Sequence, residues 1–340
     1  HILAVGHTFF QSNLFTLYHF YTDTSCMKRK WIRRVSWILL TPIILFVILM
    51  VLLYIPPVQN LLRREVTAYA SKATGMQIQV ERIDLRFPLN LLVRGVEVIQ
   101  QPDTLLSLES LNVRVQAWPL LKGKVEVDEV TLSQVAVNSA NLIEGMQIKG
   151  VLGRFFLQSH GVDLSNETAV VNRTELSDTH IQLLMTDTTT TPKDTTASAP
   201  VNWKVNLHQL KLKNVSFGMK LPADSMKMAA YIGEATIDDA KADLKNQFYG
   251  LKQFLLSGAS ASYDTGEAQP SEGFDASHMA VRNIRIGLDS LLYEGRNMNA
   301  VIREITMEER SGLSITSLTG RLFSNDSIIR IPELKLQTPH

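Results

Sequence analysis

The sequence predicts a mostly β protein, an elongated and curved sheet preceded by one transmembrane helix and one amphipathic helix. Three observations carry that reading. No charged residue occurs from Val35 to Leu62. Beyond Gly75 the apolar residues switch from a period of 3.6 to a period of two. Two long segments then repeat one unusual aliphatic spacing, steps of three, two, three and two.

Residues 1–26 show neither an amphipathic period nor a charge pattern, and Met27 is followed at once by Lys28, Arg29 and Lys30. That is how a membrane-targeting segment starts, so 1–26 read as upstream leader. The chain begins with His1 and stops at His340 within an alternating pattern, which suggests a piece of a longer protein.

Residues 27–55 form the basic segment and anchor. The 21 residues from Val35 to Ile55 are almost wholly apolar; as a helix they would run ~31 Å, about the thickness of the hydrocarbon core. Trp31, Trp37 and Tyr54 suit the two interfaces, and Ile55, Pro56 and Pro57 stand where a cleavage site would need small residues. Lys28, Arg29, Lys30, Arg33 and Arg34 precede the span, so the N-terminus is expected in the cytoplasm and the bulk outside. In a two-membrane bacterium this means a single-pass inner-membrane protein with a periplasmic body.

Residues 56–75 read as the amphipathic helix, with Val58, Leu61, Leu62, Val66, Tyr69, Ala70 and Ala73 on one face and Gly75 as its stop. That face either packs on the following sheet or lies at the membrane surface, and the two can both hold. A first β-rich segment covers 76–185 and a second 201–340, with alternation over 108–115, 125–137, 205–217, 281–288 and 328–336. Between them the Thr-rich stretch 186–200 reads as a disordered loop. Residues 264–273 form a second candidate loop, and 244–256 is a weak candidate for another helix.

The repeated spacing runs through Val127, Val130, Leu132, Val135 and Val137, and again through Leu207, Leu210, Leu212, Val215 and Phe217. Shorter copies are Leu108-Leu111-Val113, Val281-Ile284-Ile286 and Ile331-Leu334-Leu336. A step of two keeps to one face of a strand. A step of three changes face unless the chain bends and absorbs a residue. These are therefore bent strands that keep aliphatic side chains on the concave side.

Charge and chemistry narrow the function. The net charge is +1, and with the five basic residues near the anchor set aside the rest carries −4. Nucleic acid would need a basic face. The one cysteine, Cys26, lies in the leader, which leaves no disulfide or cysteine-based metal site. The eight histidines are scattered, and His208 reads as a surface residue. No phosphate loop or nucleophile elbow occurs; Ser257-Gly258-Ala259-Ser260 lacks the strand-turn-helix setting. The adjacent acids Asp238-Asp239 and Glu308-Glu309 would point to opposite faces of a strand. No enzyme, cofactor or metal is expected.

At two places the chain resembles the AsmA-like envelope protein family, and within it the TamB-like translocation and assembly module subunits. The first is the anchor ending Tyr54-Ile55-Pro56-Pro57, the helix ending Thr74-Gly75, and strands holding Ile83-Asp84-Leu85-Arg86-Phe87-Pro88 and Arg94-Gly95-Val96. The second is Glu309-Arg310-Ser311-Gly312-Leu313, then Leu318-Thr319-Gly320, then 331–338. Residues 31–140 and 300–340 carry the likeness; 141–300 share only β texture. The resemblance implies a sheet folded lengthwise into a trough, a β-taco, with a hydrophobic lumen for phospholipid acyl chains. It also implies an outer-membrane partner of the TamA/BamA type, engaged through a C-terminal part that is not in this sequence. The work implied is phospholipid transport between membranes and outer-membrane biogenesis. The alternatives are an assembly factor for outer-membrane β-barrels, or a non-enzymatic envelope scaffold.

Overall fold

The computed structural model describes residue 51 and residues 55–86, 89–120, 126–139, 142, 145–163, 166–185, 202–266 and 270–339. The basic cluster 28–34, nearly all of the proposed span and the Thr-rich stretch 186–200 lie outside them. Among the described residues no helix is long and apolar enough to cross a membrane. The chain divides after Gln59 into two compact units, and all the strands belong to the second.

Helix α1, Pro56–Thr74, ends where Gly75 adopts φ +70° and donates its N–H to the Ser71 carbonyl at 3.0 Å. Only glycine takes that conformation without cost, so the stop read from the sequence is also the structural one.

Among the described residues fifteen strands form one sheet: β1 (Gln77–Arg86), β2 (Asn90–Gln100), β3 (Asp103–Val115), β4 (Val127–Asn138), β5 (Met146–Asp163), β6 (Thr168–Met185), β7 (Lys204–Leu221), β8 (Met226–Asp243), β9 (Phe248–Leu251), β10 (Gln253–Asp264), β11 (His278–Glu294), β12 (Asn297–Glu309), β13 (Ser314–Ser324), β14 (Ile329–Arg330) and β15 (Lys335–Gln337). A single turn of helix, α2 (Ala117–Leu120), lies between β3 and β4. Neighbours follow chain order except that β8 pairs directly with β10, β9 bridges β8 and β11, and β15 returns to β13; the pairs are antiparallel save β6 with β7, which run parallel. The stretch 244–256, a candidate helix from its sequence, is instead a turn followed by β9 and the start of β10. There β9 pairs with β8 and β11, and pairing on both sides outweighs a weak helical period. The alternating run 328–336 is divided between the short strands β14 and β15.

Two lines of interruption cross this sheet at right angles to its strands. The first passes through Glu81, Gly95, Glu109, Gln134, Gly153, Asp178, Asn214 and Gly233, a set of successive neighbours that the pairing ladders skip. Gly95, Gln134, Asp178 and Asn214 have φ between +50° and +59°, and Gly258 continues the series on β10 at +62°. That region costs an ordinary L-residue about 1–2 kcal/mol, and Gly, Asn and Asp occupy it most readily. The strands facing these positions come very close. A Cβ added at Gly153 would sit 2.7 Å from the Asp178 Cβ, and one at Gly233 would sit 2.9 Å from the Gly258 carbonyl oxygen. Across the parallel pair the crease is tied by side chains: Asn214 Nδ2 donates to Asp178 Oδ1 at 2.9 Å, and the Tyr231 hydroxyl donates to Asn214 Oδ1 at 3.1 Å.

The second line lies six residues away on the strands it crosses. It skips Asn172 on β6, His208 on β7 and Asp239 on β8, where φ is +49°; register shifts continue it at Asp289 on β11. These creases account for the aliphatic spacing. Each step of three passes over one of them: Leu132 to Val135 over Gln134, Leu207 to Leu210 over His208, Leu212 to Val215 over Asn214. Val281 to Ile284 passes over Asn283 at φ +54°, whereas Ile331 to Leu334 passes over Glu333, at φ +60° in the turn between β14 and β15.

Candidate functional site

Between the creases, cross-strand pairing lines apolar residues into continuous rows. One row takes Ile83, Val93, Leu111, Leu132, Phe155, Leu176, Leu212, Ala235, Leu256, Ile286, Ile305, Leu318 and Leu336, one residue from each of thirteen strands. No polar side chain interrupts it. At about 4.8 Å per strand it runs roughly 60 Å. A second row runs beside it through Leu85, Leu91, Val113, Val130, Leu157, Thr174, Leu210, Ile237, Phe254, Leu288 and Ile302. The row between them points to the other face and is largely polar, with Asn112, Thr131, Glu175, Lys211 and Thr236.

The ten residues singled out by spacing sit on β4 and β7, and the registers connect them. Leu132 and Leu212 share the first row, and Val130 and Leu210 the second. Beyond the first crease Val135 is linked to Val215 through Leu152 and Thr179, and Val137 to Phe217 through Gly150 and Ile181. Beyond the second, Val127 and Leu207 join only through Ser159, whose hydroxyl donates to the Val127 carbonyl, and Val171. Spacing missed Phe155 and Leu176. The step from Leu152 to Phe155 was the available signal on β5, and Thr174 and Thr179 obscure it on β6.

None of the ten is buried. Eight are half-buried, while Val137 and Phe217 are 37% and 40% exposed. No large side chain among the described residues is fully buried, and four of the seven buried apolar residues are alanines: Ala169, Ala235, Ala259 and Ala300. A filled sandwich core would bury its Leu, Ile and Phe. Here the large aliphatics keep part of their surface open.

A cavity of about 1120 Å³ lies elsewhere, in the wing beyond the first crease. Of the ten residues only Phe217 borders it. Two cross-strand rows line much of it: Lys149, Gln182, Gly218, Ala229, Ser262 and Ala280, and then Gln147, Leu184, Lys220, Lys227 and Asp264. Alternation puts these side chains on the face opposite Ile181, Phe217 and Ala230. The basic lining residues are Lys149, Lys220, Lys227, Arg282 and Arg310, against Asp264 and Glu309. Lys220 and Lys227 stand directly opposite one another.

Few other groups there are chemically distinctive. Arg282 Nε donates to Glu308 Oε2 at 3.0 Å, and His180 Nδ1 lies 2.6 Å from Ser216 Oγ. Glu309 accepts the Ser311 and Ala280 N–H groups at 2.6 and 3.3 Å, and its carboxyl is held below its ordinary value, first by Ser311. Elsewhere Asp239 is held down by His208 and then Lys252. Among the described residues no group of three His, Cys, Asp or Glu is placed to hold a metal. No protein-family model matches the chain, and neither does any curated protein.

Proposed function

We propose that this chain is a membrane-anchored envelope bridge of the TamB/AsmA-like kind, whose aliphatic rows carry phospholipid acyl chains between inner and outer membranes. The observation that carries this reading is the apolar row crossing thirteen strands without a polar side chain. The creases support it, because bending neighbouring strands at matching points would turn a flat sheet into a lengthwise trough.

The mechanism needs no catalysis. An acyl chain in water loses roughly 0.8 kcal/mol per CH₂, on the order of 10 kcal/mol for a whole chain. An aliphatic row with a fresh residue about every 4.8 Å lets the chain move one strand at a time, never giving up more than one or two methylene contacts. Similar side chains at every step keep any one position from becoming a deep well.

Photocrosslinking tests the proposal against the assembly-factor alternative. A photoreactive residue at Val130 or Leu212 in the full chain, activated in membranes, is expected to capture phospholipid. Capture of β-barrel protein without lipid would overturn it.

A further inference from the structure

The cavity in the wing has a floor of small side chains. Gly218, Ala229, Ser262 and Ala280 are brought into one row across β7, β8, β10 and β11. At about 4.8 Å per strand that floor runs roughly 14 Å. Ser216, Tyr231 and Ser260 flank it on one side, polar but uncharged. Lys220 and Lys227 flank it on the other, and Lys149 stands at the β5 end of the floor row. A Cβ added at Gly218 would find its nearest neighbour at 3.9 Å, so the floor is open above that residue.

Charge is uneven along the groove. Toward β11 and β12 the acids have partners: Glu308 pairs with Arg282, and Glu309 accepts the Ser311 and Ala280 N–H groups. Toward β5, β7 and β8 the cations do not. Lys204 and Lys252 each meet an aspartate, at 3.4 and 3.2 Å, whereas Lys149, Lys220 and Lys227 have no ion-pair partner among the described residues. Asp264 stands opposite Lys227 in the register without forming an ion pair. Lys220 and Lys227 face one another directly, and like charges so placed cost stability.

We propose that this groove binds a single-chain anionic amphiphile, its phosphate or carboxylate head between Lys220 and Lys227 and its tail along the floor. The lysines supply charge-assisted hydrogen bonds to the head, and the head removes their repulsion. The floor carries no charge, so an apolar tail lies over it without desolvating an ion. Asp264 repels a second anionic group beyond Lys227, which favours one head over a polyanion. A volume of about 1120 Å³ is at the upper end of small-molecule sites. The groove lies on the face opposite the wing's aliphatic side chains, and its ligand does not depend on what the aliphatic rows carry.

The test uses the full chain in nanodiscs of phosphatidylcholine. Its probe is dodecyl phosphate with a photoreactive tail, and adducts are mapped by mass spectrometry. Saturable adducts are expected at 227–231 and 260–262, competed by unmodified dodecyl phosphate. Lys220→Gln with Lys227→Gln should lower their yield at least tenfold, and so should Gly218→Val, which fills the floor. An unchanged yield in the lysine variant would overturn the site. Equal competition by dodecyl maltoside, which has the same tail and no charge, would reduce it to apolar contact and overturn it. Equal competition by inorganic phosphate would leave an oxyanion site without a tail, and overturn it too. Leu212→Asp, in the aliphatic row, should keep the groove yield within twofold. A loss there as large as in the lysine variant would overturn the separate site.

Discussion

The strip between the two creases and the wing beyond the first are made from the same strands, yet they present different chemistry. On β7 the strip runs from Gln209 to Lys213, and its aliphatic side chains Leu210 and Leu212 are half-buried. The wing runs from Val215 to Leu221; there Phe217 is 40% exposed, and the opposite face borders a cavity rich in lysine. One residue, Asn214, separates them. A positive-φ position repeated at matching register across neighbouring strands thus divides the sheet into two surfaces, one whose aliphatic rows are broken only at Thr174 and one mixed.

The largest expected contrast comes from placing a charge on each surface. Leu212→Asp puts a carboxylate into an apolar row and should lower lipid capture at Val130 at least tenfold. Phe217→Asp, at an already exposed site, should lower it less than twofold, as read by crosslinking yield. A similar loss from both would erase the distinction between strip and wing.

The crease itself gives a matched pair. Gly153→Val drives a side chain into the Asp178 Cβ and should destabilise by about 1–3 kcal/mol. At Gly218 in the wing the nearest atom to a new Cβ is 3.9 Å away, so Gly218→Val should stay within about 0.5 kcal/mol. Chemical denaturation of both variants measures the difference.

Acid should destabilise the wing through its depressed carboxyls. Glu309 is held below its ordinary value by Ser311, and Asp275 by the Ser271 backbone and then His278, whose Nδ1 is 3.0 Å away. A carboxyl depressed in the fold contributes stability that is complete above its unfolded value, near 4. That stability is lost as pH falls through the folded value. Melting temperature should therefore hold from pH 7 to pH 5 and fall below about 4. Asp275→Asn should lower the neutral value and flatten the acid decline.

The smallest effect belongs to the facing lysines. Lys220→Glu replaces a repulsion with an attraction to Lys227 and should stabilise by about 0.2–1 kcal/mol, less in high salt. No gain at low salt would mean that the lysines do not interact.

The bends were legible because they leave a mark on composition: over each crease the aliphatic step lengthens from two to three. The β texture was legible for the same reason, through alternation. What strands pair with was not. Lys149, Lys220 and Lys227 meet at one cavity from three strands, and the parallel partnership of β6 and β7 depends on contacts far apart in the chain. Segment 244–256 went to strands because β8 and β11 offered it partners. For the apolar face of α1 the sequence left two placements open. Leu61, Val66, Tyr69 and Ala73 are exposed while Arg63 and Ser71 bond the Glu81 carbonyl and the Ile78 N–H of β1, a contact that helical periodicity does not register.

The most direct test of the acyl-chain path scans β7 in the membrane-reconstituted chain, with single spin labels from 207 to 217 and lipids that relax spins from their acyl chains. The account predicts the strongest relaxation at 210 and 212, less at 207, 215 and 217 beyond the creases, and weak relaxation at 209, 211, 213 and 216. A flat profile, or maxima on the polar positions, would contradict it.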